Sequence, residues 1–156
     1  MIRLARLAKD DPAPVAHIRV RPDQVPFCGT IVGHFAERDP DVDFHQVIRD
    51  GRAVGFFKID RGYPTRFDFA AADEVGLRGV MIDAVEQGRG TGAAALAGLR
   101  DYLPPRYPGA ASIVLTVNTV NPAAVRAYLR AGFVDTGAFY DGGRISPQHI
   151  MRMNLR

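Results

Sequence analysis

The chain has 156 residues, 47% hydrophobic and 24% charged, which fits one globular domain over residues 1–156 and excludes a disordered or low-complexity chain. A single cysteine, Cys28, excludes a disulfide framework and a cysteine-rich zinc site, and points to a reducing, cytoplasmic setting. The net charge of +3 comes from 18 Arg and 2 Lys against 17 acidic residues, with no basic block interleaved with aromatics, so no nucleic-acid partner is indicated.

Residues 2–7 alternate apolar and basic and predict an edge strand with one buried face. They lack the apolar core and cleavage site of a leader, and no apolar run approaches the ~20 residues of a membrane span. Asp10-Asp11-Pro12 breaks the strand, and Pro22 and Pro26 interrupt any helix over 15–27. Residues 30–36 predict a short helix, followed by an acidic polar loop over 37–43. Strands at 44–49 and 52–59 flank Asp50-Gly51, a strong hairpin signal. Gly62 and Pro64 mark 61–73 as a loop, and a strand follows over 75–83 with Gly76 and Gly79 as candidate bulge positions. Leu96, Leu99 and Leu103 give an apolar stripe to a helix over 93–103, which Pro104-Pro105 ends. The apolar run 112–117 predicts a central strand. Asn121-Pro122, a cap followed by proline at the first helical position, starts a second helix that Gly132 ends. Strands at 133–140 and 149–155 flank the turn at Asp141-Gly142-Gly143. Strand–helix–strand in the middle implies a parallel pair, and the hairpins imply antiparallel ones. The fold class is α/β (α+β): a mixed, mostly antiparallel sheet of about six to seven strands with helices on both faces.

The segment Gln87-Gly88-Arg89-Gly90-Thr91-Gly92 lies between a strand and a helix. A glycine-rich loop lets successive backbone N–H groups converge, and the helix adds its free N–H groups and positive dipole end. The result suits a phosphate or pyrophosphate, although a turn that binds nothing has the same composition. It is not a P-loop, which would end in Gly-Lys-Ser/Thr, and it lacks the G-x-G-x-x-G of a dinucleotide fold.

Gln-x-x-Gly-x-Gly after a strand resembles the acyl-CoA pyrophosphate loop of the GNAT superfamily of N-acetyltransferases, and Met81-Ile82-Asp83 resembles the strand that pairs with the pantetheine arm. Downstream, Asn121, Ala124, Tyr128, Gly132 and Phe133 match the family's N-x-x-A-x-x-x-Y-x-x-x-G-F pattern. The resemblance covers roughly residues 44–155. Shorter matches at 21–27, 53–57, 77–83 and 137–142 are closest to the bacterial diamine and spermidine acetyltransferases. The resemblance implies a GNAT-like acyl-CoA N-acyltransferase fold with acetyl-CoA as cosubstrate, and His17, His34, His45 and His149 show no metal-ligand spacing, so no metal is expected. It implies cofactor contacts from Met81, Ile82, Gln87, Gly88, Arg89, Gly90, Thr91, Gly92 and Asn121. It allows a homodimer through the sheet edge or the C-terminal strands.

Acetyl transfer to an amine requires loss of a proton from the amine, stabilisation of the oxyanion and protonation of the leaving thiolate. The resemblance gives the last role to Tyr128, which is otherwise a core aromatic beside Val125 and Leu129. Tyr128 and Asn121 lie two turns apart on one side of their helix. Asn121 can cap that helix, which alone explains the Asn-Pro pair, and can also reach the pantetheine amides that the resemblance implies. Backbone N–H groups near Met81 and Ile82 are the expected oxyanion donors, with the thioester between Ile82 and Tyr128. Asp83, Glu74 and His45 are candidates for the base, beside an ordered water chain. Cys28 reads as a small packing residue, which agrees with direct attack by the amine. From residue 75 onward there are 9 Arg against 5 carboxylates, and before it 11 basic against 12 acidic residues. That asymmetry and the acidic runs Glu37, Asp39, Asp41, Asp43 and Asp68, Asp73, Glu74 suggest a cationic, polyamine-like acceptor. A protein N-terminus, an amino acid, a drug amine, or a non-catalytic acyl-CoA-binding module are the alternatives.

Overall fold

The computed structural model describes residues 1–156. Strand β1 (Ile2–Leu7) lies along β2 (Val42–Arg49), which turns through Asp50–Gly51 into β3 (Arg52–Asp60). β4 (Glu74–Ile82) is followed by helix α4 (Thr91–Tyr102) and then β5 (Ser112–Asn118). Helix α5 (Pro122–Ala131) leads to β6 (Val134–Tyr140) and β7 (Gln148–Asn154). Three short helices complete the chain: α1 (Val25–Cys28), α2 (Ile31–Ala36) and α3 (Tyr63–Arg66). The seven strands form one sheet in the order β1-β2-β3-β4-β5-β7-β6, antiparallel throughout except for the β4/β5 pair that α4 bridges. No helix is long and apolar enough to cross a membrane.

Strand alternation sends opposite sets of side chains into two layers. Phe57, Ile59, Ile113 and Leu115 meet Leu96, Leu99 and Leu103 of the α4 segment on one face. Phe44, Phe56 and Met81 meet Val15, Ile18 and Ile31 on the other. The proline-interrupted segment 15–27 is therefore not a spacer, since Val15 and Ile18 seal the second core. Strand β2 starts two residues earlier than the acidic loop predicted, because Val42 is core and Asp43 is held by Arg6, Arg61 and Tyr107. The loop expected at 61–73 contains α3, with Pro64 in its first turn.

His45 is fully buried in the α4 layer. Tyr107 donates to Asp43 (2.8 Å) and accepts from His45 Nε2 (2.9 Å), while Tyr102 donates to Nδ1 (2.8 Å). Both nitrogens of the neutral ring are hydrogen-bonded, and a second ring proton would require the Tyr102 hydroxyl to turn and accept. Burial, helped by Arg6, pushes its pKa down to about 4. Between that value and the ordinary 6.5, the unfolded chain binds more protons, so stability falls as the pH falls through this window. The loss reaches roughly 3 kcal/mol near pH 4. Urea unfolding across this range should show it, and His45→Gln should flatten it; an unchanged slope in the variant contradicts the assignment.

Candidate active site

Strands β4 and β5 pair only from Glu74–Gly76 to Ser112–Val114. Beyond Gly76 they separate, while their outer edges stay paired with β3 and β7. The wedge opens a cavity of about 870 Å³. A bulge on β4 shapes one wall: Phe56 faces Met81 but Lys58 faces Arg78, so β4 carries one extra residue there. Gly79, at φ +62°, sits in the bulge, and a Cβ there would run into the His34 ring and Lys58. Of the two glycines singled out in this strand, Gly79 makes the bulge, whereas Gly76 lies flat under the Tyr63 ring.

The Gly loop forms one end of the cavity. Gly88 and Gly90 have φ values of +80° and +78°, a region other residues enter only at a cost, and no side chain crowds either. Gly90 is the N-cap of α4, so the free N–H groups of the first turn face the same space. Gly88, Gly90 and Gly92 all line it. Gln87 also lines the cavity, but its amide is committed to the scaffold: Nε2 donates to the Ile82 carbonyl at 2.9 Å, and Oε1 accepts from Arg21 at 2.6 Å. The Thr91 side chain is buried and its hydroxyl accepts from Arg49 at 2.8 Å, leaving only its backbone for a ligand. Arg49, reaching from β2, is a brace that the sequence did not reveal. Arg89 stands outside the cavity beside Glu86, and the Met81 side chain packs into the opposite core, so only its backbone is on offer.

Ile82 lines the β4 wall, and Asn121 and Tyr128 line the wall made by α5. Asn121 caps α5, its Oδ1 accepting from the Ala124 N–H at 3.4 Å. The Tyr128 ring packs edge-on against Phe133 with centroids 5.6 Å apart, while the residue also borders the cavity, so both readings of this tyrosine describe part of it. Burial, with Cys28 and Tyr63 as ionisable neighbours, pushes its phenol well above the ordinary tyrosine range. Cys28 lies on the facing wall, where burial raises its thiol to about 11, which makes it a poor nucleophile.

None of the three residues named as base candidates borders the cavity. His45 is enclosed between tyrosines as described. Glu74 bonds Ser112 and Arg152 at the closed end of the wedge, and Asp83 is buried where it accepts from the Arg19 amide at 3.4 Å. The cavity instead carries His34 and Glu37 around α2, and Lys58 from β3. His34 Nε2 donates to the Cys28 carbonyl at 2.7 Å, and its Nδ1 is buried with no partner. Burial and the nearby Lys58 hold this imidazole below its ordinary pKa, so Nδ1 keeps a free lone pair at neutral pH. Lys58, 2% exposed, donates to Glu37 at 3.0 Å. A lysine two residues from an aspartate in the otherwise apolar run Phe56-Phe57-Lys58-Ile59-Asp60 was the available signal for this polar network.

The acidic runs do not form a free anionic wall. Asp39 and Asp60 share Arg66, Asp60 also takes Arg78 at 3.2 Å, and Asp43 holds Arg6 and Arg61. Asp68 and Asp73 are exposed away from the cavity, and Glu37 is the one carboxylate that lines it. No group of three or more His, Cys, Asp or Glu side chains is placed to hold a metal ion.

A model of the acetyltransferase (GNAT) family matches residues 5–133. No curated protein matches the chain in sequence. Several solved structures share its fold. An aminoglycoside acetyltransferase in complex with coenzyme A superposes with a TM-score of 0.79 at 17% identity, over 99% of this chain and 95% of that one. The ribosomal-protein-S18-alanine N-acetyltransferase from Escherichia coli gives 0.67 at 23% identity, over 99% and 94%. A spermidine N-acetyltransferase chimera from Vibrio cholerae and hSSAT gives 0.70 at 18% identity, over 99% and 95%.

Proposed function

The chain belongs to the GNAT family of acetyltransferases, an acetyl-CoA-dependent N-acetyltransferase by that membership, and we propose that it acetylates a primary amine of a small molecule by direct attack. One observation carries this reading: the wedge between β4 and β5 joins an N–H-lined loop, suited to a pyrophosphate, to a half-buried tyrosine whose hydroxyl makes no hydrogen bond to the protein. In this proposal the first turn of α4, with Gly88, Gly90 and Gly92, holds the phosphates of acetyl-CoA. Asn121 and the β4 backbone at Met81 and Ile82 flank the pantetheine and thioester. The acceptor enters from the opposite side, past α1, α2, α3 and the 141–147 loop.

The acceptor reaches the site as an ammonium ion and must lose a proton before its nitrogen can attack. On that side the half-exposed carboxylate of Glu37 is the group able to take it, directly or through a water. The nitrogen then bonds to the thioester carbonyl carbon, backbone N–H groups of β4 hold the oxyanion, and Tyr128 meets the departing sulfur. No acyl-enzyme is needed, in keeping with the inert Cys28 thiol. The neighbours named above act on or bind amines of different size, and the membership alone does not choose among them.

Thiol release from acetyl-CoA in the presence of a primary-amine panel tests this, with calorimetry as its companion. The expected result is saturable acetyl-CoA binding and amine-dependent thiol release. Binding without release from any amine identifies an acyl-CoA-binding module instead, and absence of binding removes the reading.

A further inference from the structure

The half of the cavity facing away from the Gly loop is walled by rings and aliphatic groups. Phe27 comes from α1, Tyr63 and Phe67 bracket the α3 turn, and Ile145 comes from the 141–147 loop. Tyr63 and Phe67 have centroids 4.5 Å apart, and Tyr140 packs edge-on against Phe67 at 5.3 Å. Ser146 donates to Asn118 Oδ1 at 2.8 Å, which ties the residue next to Ile145 to the end of β5. Phe27 and Ile145 remain 37% and 47% exposed, an apolar mouth that nothing in the chain covers. The charges around it lean one way: Lys58, Arg78, Arg130 and Arg144 line the cavity, Lys58 is bound to the single lining carboxylate, Glu37, and Arg78 to Asp60, which leaves Arg130 and Arg144 without an ion-pair partner.

Building on the acetyltransferase reading, we infer that the acceptor is a monoamine bearing an aromatic or bulky apolar group, seated among Phe27, Tyr63, Phe67 and Ile145. A polyamine would bring two or three ammonium charges into a cavity whose unpaired charges, Arg130 and Arg144, are both cationic, with no free carboxylate to replace their hydration. An arylalkylamine brings one charge, which leaves as a proton before attack. Its ring loses water against faces and edges that are already fixed in place. The acceptor amine points towards His34 and the bulge at Gly79, and its apolar group points out to the mouth.

The test compares phenethylamine with spermidine on the full chain at saturating acetyl-CoA, following thiol release. The inference expects kcat/KM for phenethylamine to exceed that for spermidine by about 100-fold. Phe67→Ala should raise the KM for phenethylamine by about tenfold, while the calorimetric affinity for acetyl-CoA stays as it was. Phe27→Ala, at an exposed position, serves the same purpose if the first variant does not fold. Turnover of spermidine equal to or faster than that of phenethylamine overturns this acceptor class and leaves the transferase reading standing. An unchanged KM in a folded Phe27→Ala or Phe67→Ala protein also overturns it. Acetyl-CoA binding with no thiol release from either amine overturns this acceptor class, and only silence across the whole amine panel overturns the transferase reading.

Discussion

Gly90→Glu removes acetyl-CoA binding from a protein that still folds. Gly90 holds φ +78° at the N-cap of α4, where a side chain costs on the order of 1 kcal/mol in backbone strain. No atom lies within 4 Å of the position a Cβ would take, so strain is the only structural cost. A carboxylate there also meets the positive end of α4, which offsets part of that strain. It sits, however, where the pyrophosphate would sit. Two unit charges 4 Å apart repel by about 4 kcal/mol at an effective dielectric constant near 20, close to three orders of magnitude in affinity. The wild-type protein should gain about 2.7 kcal/mol of apparent stability at acetyl-CoA concentrations 100 times its Kd, and the variant none. Gly90→Ala carries the same strain without the charge and should keep measurable binding. Glutamate and alanine variants of equal affinity would show that the loop does not hold the phosphates.

The parts of the fold that could be read from sequence are those fixed by neighbours in the chain. Asp50-Gly51, the Asn121-Pro122 start of α5 and the glycines at 88 and 90 each state a local backbone requirement that the structure meets there. The parallel β4/β5 pair follows from strand–helix–strand order, whereas where its pairing stops does not. What stayed hidden depends on which layer a strand residue faces. His45 and Lys58 both lie in well-formed strands, yet one is enclosed by Tyr102 and Tyr107 beneath α4 and the other borders the cavity beneath α2. Bulges make that parity unreadable: β3 pairs irregularly between Val47 and Ile48, and β4 gains its extra residue near Gly79. The pairing of the acidic runs stayed hidden for a related reason. Glu37, Asp39, Asp43 and Glu74 take Lys58, Arg66, Arg6 with Arg61, and Arg152, which come from separate segments, so only the assembled sheet shows which carboxylates of the runs are already paired.

Tyr128→Phe tests the last step of the proposed reaction, and its effect should fall on kcat. The cavity itself indicates how it would treat a thiolate. Cys28 stands on its wall, and burial alone lifts that thiol above the ordinary cysteine range, to about 11. A coenzyme A sulfur leaving into the same space would be destabilised as an anion in the same way. It would therefore need a proton, or at least a short hydrogen bond, as the carbon–sulfur bond breaks. The phenol of Tyr128 is raised by the same burial, so it stays protonated at every working pH and is always available as a donor. Because one environment raises both groups, the transfer is less uphill than the phenol's raised pKa alone would suggest. Phenylalanine keeps the edge-on packing against Phe133 and removes only the hydroxyl. At saturating acetyl-CoA, kcat should fall by about 100-fold, with little change in the affinity for acetyl-CoA or in thermal stability. An acetyl donor with a more acidic thiol leaving group should recover much of that loss, since its thiolate departs without help. If kcat is unchanged, or the loss is the same for both donors, Tyr128 is a packing residue and the sulfur takes its proton from elsewhere.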